Sequence, residues 1–245
     1  MTEESVAAEN PADRRRRGAL AFLRDLVIIV IVALLVSFLV KTFLVRSFYI
    51  PSGSMEDTLQ INDRIIVNEL VPDVIDLQRG DVVVFTDPGG WLSSPPPDPD
   101  TPWIVSAWDG LLTAVGLSVS DSNDHLIKRV IGLPGDHVVC CNALGQMSVN
   151  GVPLNEPYLL LPQSAQAVSA TSFDITVPAD SLWVMGDNRY NSKDSRYNGN
   201  TPGKGYVPID NVVGRAFVIS WPIDRWQGLG DYPAVFDGIP DAGAE

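Results

Sequence analysis

From Leu26 to Val40 the chain reads LVIIVIVALLVSFLV, a run in which Ser37 is the only polar side chain. As a helix rising ~1.5 Å per residue it would cover about 22 Å, short of the roughly 30 Å hydrocarbon core of a bilayer. Extending it toward Arg46 brings the length to about twenty residues, provided that Lys41 runs its ammonium along the helix to the far interface. A helix with no polar face has little use on the surface of a water-soluble domain. The segment therefore predicts a membrane span, taken as residues 25–46.

A cleaved secretory signal would need a shorter apolar core and a small-x-small site soon after it, and Val45-Arg46-Ser47-Phe48 is a poor match. The arginine run Arg14 to Arg17 could suggest a twin-arginine signal, but the apolar run is too long for one. Those arginines and Arg24 precede the run, against Lys41 and Arg46 at its other end, and such a bias places the N-terminus in the cytoplasm. The expected organisation is a disordered cytoplasmic tail (1–24), a single transmembrane helix (25–46) and an extracytoplasmic domain (47–245).

Charge divides along the same line. Residues 1–46 carry seven Lys or Arg against five Asp or Glu, whereas residues 47–245 carry ten against twenty-five. A domain with that acidic excess repels phosphate backbones, so a nucleic-acid partner is disfavoured. Cys140 and Cys141 are the only cysteines. Neighbours on a strand point to opposite faces, so the two are expected to be unlinked.

Beyond the span the pattern changes to short β-branched runs: Arg64–Val67, Asp81–Phe85, Ile127–Ile131, His137–Val139, Phe173–Val177, Leu182–Met185 and Val212–Ser220. Turn formers such as LQRGD, GLPGD and VPAD separate them, and Asn150-Gly151 carries the positive φ that a tight hairpin needs. The fold expected is mainly β, a transmembrane helix followed by an antiparallel β-sheet domain. Residues 87–124, rich in proline, interrupt it as an exposed excursion, with helical character expected at VSAWDGLLTAVGL.

Many chemistries are missing from this chain. His125 and His137 are its only histidines, and no HExxH, GxSxG or GxxxxGK[ST] pattern occurs. What remains for activating a serine is a lysine whose burial lowers its pKa toward neutrality. Past the span only Lys128, Lys193 and Lys204 are available, and Lys128 alone has apolar neighbours, in HLIKRVIG. A serine to pair with it stands in YIPSGSM, where Pro51 and Gly53 suit a loop that presents Ser54 and turns backbone N–H groups toward a substrate.

Three stretches, YIPSGSMEDTL, IKRVIGLPGD and MGDNRYNSKDSR, in that order and after an apolar anchor, together resemble the type I signal peptidases of bacteria, membrane-bound serine proteases with a Ser/Lys dyad. The resemblance runs from about residue 45 to 222. It implies Ser54 as nucleophile and Lys128 as general base, with Ser52 and the Ser54 N–H forming the oxyanion hole. Ser192 would hydrogen-bond and orient the lysine, Gly186 would keep space beside it, and Asp187, Asp194, Arg196 and Arg129 would form a supporting network. Phe48, Ile50, Pro51, Met55, Leu59, Leu126 and Ile127 would line shallow apolar pockets for small residues. Tyr190 and Lys193 depart from the usual pattern, and Lys193 adds a charge near the network. The resemblance further implies cleavage of secretory preproteins at small-x-small sites, no cofactor and no metal. The bilayer and the protein translocase are its implied partners. A non-catalytic anchored scaffold and a self-cleaving Ser/Lys protein remain the alternatives.

Overall fold

The computed structural model of the chain describes residues 22–36, 44–92 and 124–242. It divides into two compact units, Met1–Phe43 and Leu44–Glu245. In the first, residues 22–36 form an α-helix with apolar side chains exposed all round. Among the described residues no helix is long and apolar enough to cross a membrane. Most of the expected cytoplasmic tail and residues 37–43 of the expected span lie outside the described residues. The span's far end is corrected: Leu44 is in a turn, and Val45 and Arg46 open a strand. Their backbone groups are committed to a ladder with residues 67 and 68, which precludes helical bonding.

The second unit is mainly β and antiparallel. Its strands are β1 (Val45–Tyr49), β2 (Arg64–Asn68), β3 (Val82–Thr86), β4 (His125–Gly132), β5 (His137–Cys140), β6 (Met147–Val149), β7 (Val152–Pro153), β8 (Phe173–Thr176), β9 (Ser181–Met185), β10 (Val207–Pro208), β11 (Val212–Trp221) and β12 (Gln227–Gly228). Among the described residues the larger sheet runs β1-β2-β11-β3-β4-β9-β10, with β12 added on β11, and the smaller runs β7-β6-β5-β8. All seven expected runs are strands. The expected hairpin joins β6 to β7, with Asn150 at φ 49° and Gly151 at φ 81°.

The apolar sequence of β3 explains its interior place. Val82 and Val84 enter one buried cluster with Phe48, Met55, Leu59, Ile65 and Ile127, while Val83 and Phe85 enter another with Trp91, Val130 and Val184. A strand covered on both faces reads as an unbroken apolar run, as this one does. At Gly132 the β4 strand leaves the register and turns toward the smaller sheet, and a Cβ there would press on Val138 and Val177.

Two further expectations are revised. The excursion at 87–124 does not begin exposed. Asp87 accepts hydrogen bonds from the N–H groups of Gly89, Trp91 and Leu92, and the buried Trp91 ring meets Phe85 edge-on at 5.7 Å. Its ends also meet, Asp87 N donating to Asp124 O. Residues 93–123, including the expected helical piece, lie outside the described residues. Cys140 and Cys141, expected to be unlinked, are joined by a disulfide with their Cα atoms 3.0 Å apart. β5 ends at Cys140, so strand alternation does not govern the pair.

Candidate active site

The loop between β1 and β2 is closed at its base by two backbone bonds, Ile50 N to Asp63 O and Asn62 N to Ile50 O, both 2.9 Å. Met55 and Leu59 are fully buried beneath it. Burying such a side chain contributes roughly 2 kcal/mol, so the two anchor a single 3-10 turn, Gly53–Met55, against the sheet. Ser54 rides on that turn at 8% exposure.

Across from it, Lys128 projects from β4, flanked by β3 and β9. Its Nζ lies 2.8 Å from Ser54 Oγ and 2.8 Å from the Ile127 carbonyl, and the side chain is buried. Burial pushes the amine down from its ordinary 10.5 to about 8, against the fields of Asp194 and Asp187, which favour the ammonium. A hydroxyl touching a buried amine with so low a proton affinity is the arrangement that makes a serine nucleophilic.

The loop after β9 closes the site. Met185 pairs with Arg129, so the chain leaving β9 emerges beside Lys128. Gly186 is required there, because a Cβ would overlap Ser192 Oγ and the Ser54 main-chain oxygen. The space it keeps is thus beside those two groups. Asp187 accepts from Arg129 Nε at 2.9 Å, Arg129 Nη2 at 2.6 Å and Thr58 Oγ1 at 2.6 Å, which ties this loop to the serine loop. Asp194 accepts from Arg196 at 2.7 and 2.8 Å and from Gly186 N at 3.0 Å. Each carboxylate is therefore buried together with its own guanidinium.

Most of the expected residues converge. Ser52 Oγ stands 3.5 Å from Ser54 Oγ with its side chain open to solvent. Ser192 differs: it is buried close by, yet its Oγ makes no hydrogen bond, because Lys128 is turned to Ser54 and to the Ile127 carbonyl. Of the expected pocket residues, Phe48, Ile50, Met55, Leu59 and Ile127 pack in one cluster, but Ile50, Met55 and Leu59 are core with almost no open surface. Pro51 is exposed. Leu126 belongs to the cluster of Val83 and Phe85, since neighbours on β4 face opposite ways, so it does not share a wall with Ile127. Lys193 donates to the Trp91 carbonyl at 3.1 Å and Tyr190 to the Ala167 carbonyl at 3.1 Å, both directed away from the dyad.

Several participants receive no role from the sequence, Arg189 among them although it lies within MGDNRYNSKDSR. Arg189, fully buried, donates to Glu156 at 3.0 Å and, through Nε, to the Gly186 carbonyl at 3.1 Å. Tyr158 donates to the same Glu156 and lies over the Arg129 guanidinium at 4.1 Å, with Tyr232 also against it at 5.3 Å. Arg189 and Glu156 are 33 residues apart, and Arg129 is brought to Tyr158 and Tyr232 only by the fold, so no spacing rule could have joined these pairs.

Comparison with known proteins identifies the family. Residues 23–221 match the family described as "Signal peptidase, peptidase S26". The chain is 36% identical to a probable signal peptidase I of Mycobacterium leprae (strain TN), covering 91% of this chain and 84% of that protein. It is also 36% identical to signal peptidase I of Mycobacterium tuberculosis (strain CDC 1551 / Oshkosh), with 91% and 80% covered. Against signal peptidase I of Leptolyngbya laminosa the identity is 38%, over 76% of this chain and 73% of the relative. A match to the family across most of the chain, together with relatives matched over four fifths of their length, decides the assignment: this chain belongs to the signal peptidases of the peptidase S26 family.

Proposed function

We propose that this serine peptidase removes signal peptides from exported preproteins, with Ser54 as nucleophile and Lys128 as general base. The observation that carries the reading is the 2.8 Å contact between a buried lysine amine and a serine hydroxyl, in a site that holds the amine near neutrality. In its neutral form Lys128 takes the Ser54 Oγ proton as Oγ attacks the scissile carbonyl. The Ser54 N–H and the Ser52 hydroxyl stabilise the resulting oxyanion. The lysine ammonium then gives its proton to the leaving amine, which departs and leaves an acyl ester on Ser54. A water deprotonated by the neutral lysine hydrolyses that ester. Asp187 with Arg129 and Asp194 with Arg196 hold the loop that packs on both groups, and Gly186 leaves room for Ser192 beside them.

Phe48 and Ile127, each with a little open surface at the cluster's edge, and the exposed Pro51 are the wall available to small substrate side chains. We assign the membrane as the working surface, with the N-terminal apolar segment as anchor, the N-terminus cytoplasmic and the β unit outside. The exposed Trp221, Ile223 and Trp226 at the end of β11 and just beyond suit a headgroup interface. The test is cleavage of a signal-bearing preprotein in detergent by wild type, Ser54→Ala and Lys128→Met, each checked for folding by circular dichroism. Wild type should cut after a small-x-small site and both variants should be inactive. A folded variant with wild-type turnover would remove that residue from the mechanism, and binding without cleavage by wild type would leave a scaffold.

A further inference from the structure

The oxyanion hole of such a site depends on one backbone N–H, that of Ser54, pointing at the substrate. A peptide unit is planar, and in its trans form the N–H and the preceding C=O point in opposite directions. The Gly53–Ser54 bond is not among the cis peptides of the chain, so fixing the Gly53 carbonyl fixes the Ser54 N–H. Two groups hold that carbonyl: Asn188 Nδ2 donates to Gly53 O at 3.1 Å, and the Glu56 main-chain N–H, closing the 3-10 turn, donates to it at a longer 3.3 Å. The second hydrogen of Asn188 Nδ2 goes to Glu56 Oε2 at 3.3 Å, and the Asn188 main-chain N–H donates to Ser54 O at 3.2 Å. Asn188 thereby grips both carbonyls that flank Ser54, and at 8% exposure it does so with little competition from water.

The neighbours fit this arrangement. The Glu56 carboxylate folds back over the Gly53 Cα, where a Cβ would meet it at 2.8 Å, so glycine is what lets the acceptor reach Asn188. An amide nitrogen has two hydrogens, and both are used here. The loop carrying Asn188 is itself pinned by Leu160 N donating to Asp187 O at 3.1 Å and by Arg189 donating to the Gly186 carbonyl.

We propose that Asn188 is a positioning residue for the reaction: by holding the Gly53 carbonyl its side chain aims the Ser54 N–H into the oxyanion hole, without itself bonding Ser54 Oγ or Lys128 Nζ. This rests on the peptidase reading above. Without the grip only the 3.3 Å bond from the Glu56 N–H restrains the Gly53–Ser54 peptide, which then swings more widely, and the donor points at the transition-state oxygen for only part of the time.

The experiment compares full-length wild type, Ser54→Ala, Asn188→Leu and Asn188→Ala on one preprotein substrate, at a temperature where circular dichroism shows each folded. Leucine keeps the size of asparagine and adds no charge, while alanine tests the same loss without a branched side chain. Misplacing one donor should lower kcat on the order of tenfold to a hundredfold in both Asn188 variants, with KM nearly unchanged. The midpoint of the pH-rate profile should stay at the wild-type value, because no charge facing Lys128 is altered. A general loosening of the site would move KM or that midpoint as well. Wild-type kcat in either folded Asn188 variant, or a loss confined to KM, overturns the inference while the Ser54→Ala result still upholds the peptidase reading. Cleavage by Ser54→Ala overturns both.

Discussion

Lys128 is where burial and charge compete, and the sign of each effect can be read in the pH dependence. Its amine is pushed down to about 8 chiefly by burial, and in the proposed mechanism it serves as base only when neutral, so turnover should rise with pH to a midpoint near that value. Asp194 is the first of the groups that oppose the shift. Asp194→Asn, which also leaves the Arg196 cation unpaired, should move the midpoint down by on the order of one unit in a pH-rate profile. The same shift bears on stability. Between about 8 and 10.5 the unfolded lysine holds a proton that the folded one has released, so its contribution to stability rises with pH across that window, and below it the folded state carries the full cost of a buried ammonium. Lys128→Met should therefore raise the melting temperature at pH 7, with an advantage that shrinks as pH climbs through the window. At Gly186 even one methyl group is too much: Gly186→Ala should destabilise the fold by roughly 1–3 kcal/mol in a urea titration and abolish cleavage, since the added carbon meets both Ser192 and the Ser54 backbone.

At the level of elements, the loop after β9 is held by buried ion pairs rather than by apolar packing. Arg189 and Glu156, at 0% and 1% side-chain exposure, join it to the chain leaving β7. Removing one member of such a pair leaves a buried charge, so Glu156→Gln should cost about 3–5 kcal/mol by chemical denaturation, and an added Arg189→Met should recover part of that loss. This pair also marks how far the sequence could be read. Strands such as β3 and β11 declare themselves through consecutive apolar or β-branched residues, and the Asn150-Gly151 hairpin through its turn chemistry. Ser54 and Lys128 stand out because lysine is scarce and one serine follows Pro51 in a glycine turn. Glu156 and Tyr158 sit in a loop of ordinary polar composition, and only the folded chain brings them to the site, whereas Asn188 lies within MGDNRYNSKDSR and it is its contact with Gly53, not its place, that the sequence does not show. β1 is hidden for another reason: its first residues, Val45 and Arg46, follow directly on the apolar stretch and read as the end of the span. Ile50, Met55 and Leu59 show the opposite error, where residues at the right address for a pocket are consumed by the core.

For the molecule as a whole, the acidic excess beyond residue 46 and the aromatic groups after β11 act in different ways at a bilayer. If Trp221 and Trp226 enter the interface, the β unit should bind neutral phosphatidylcholine vesicles with a blue shift in tryptophan emission. Trp221→Ser with Trp226→Ser should abolish the shift, and anionic lipid should weaken the binding rather than strengthen it. The order of the larger sheet governs a different matter, the time at which the protein becomes dangerous. The serine loop hangs from β1 and β2, the lysine stands on β4, and between those halves of the sheet lies β11, which is made only at residues 212–221. Pairings so distant along the chain form late and cannot be anticipated by local structure. A growing chain thus carries the proposed nucleophile and base long before it has the strand that brings them into register, so on the mechanism proposed above the protease should stay harmless until it is nearly complete.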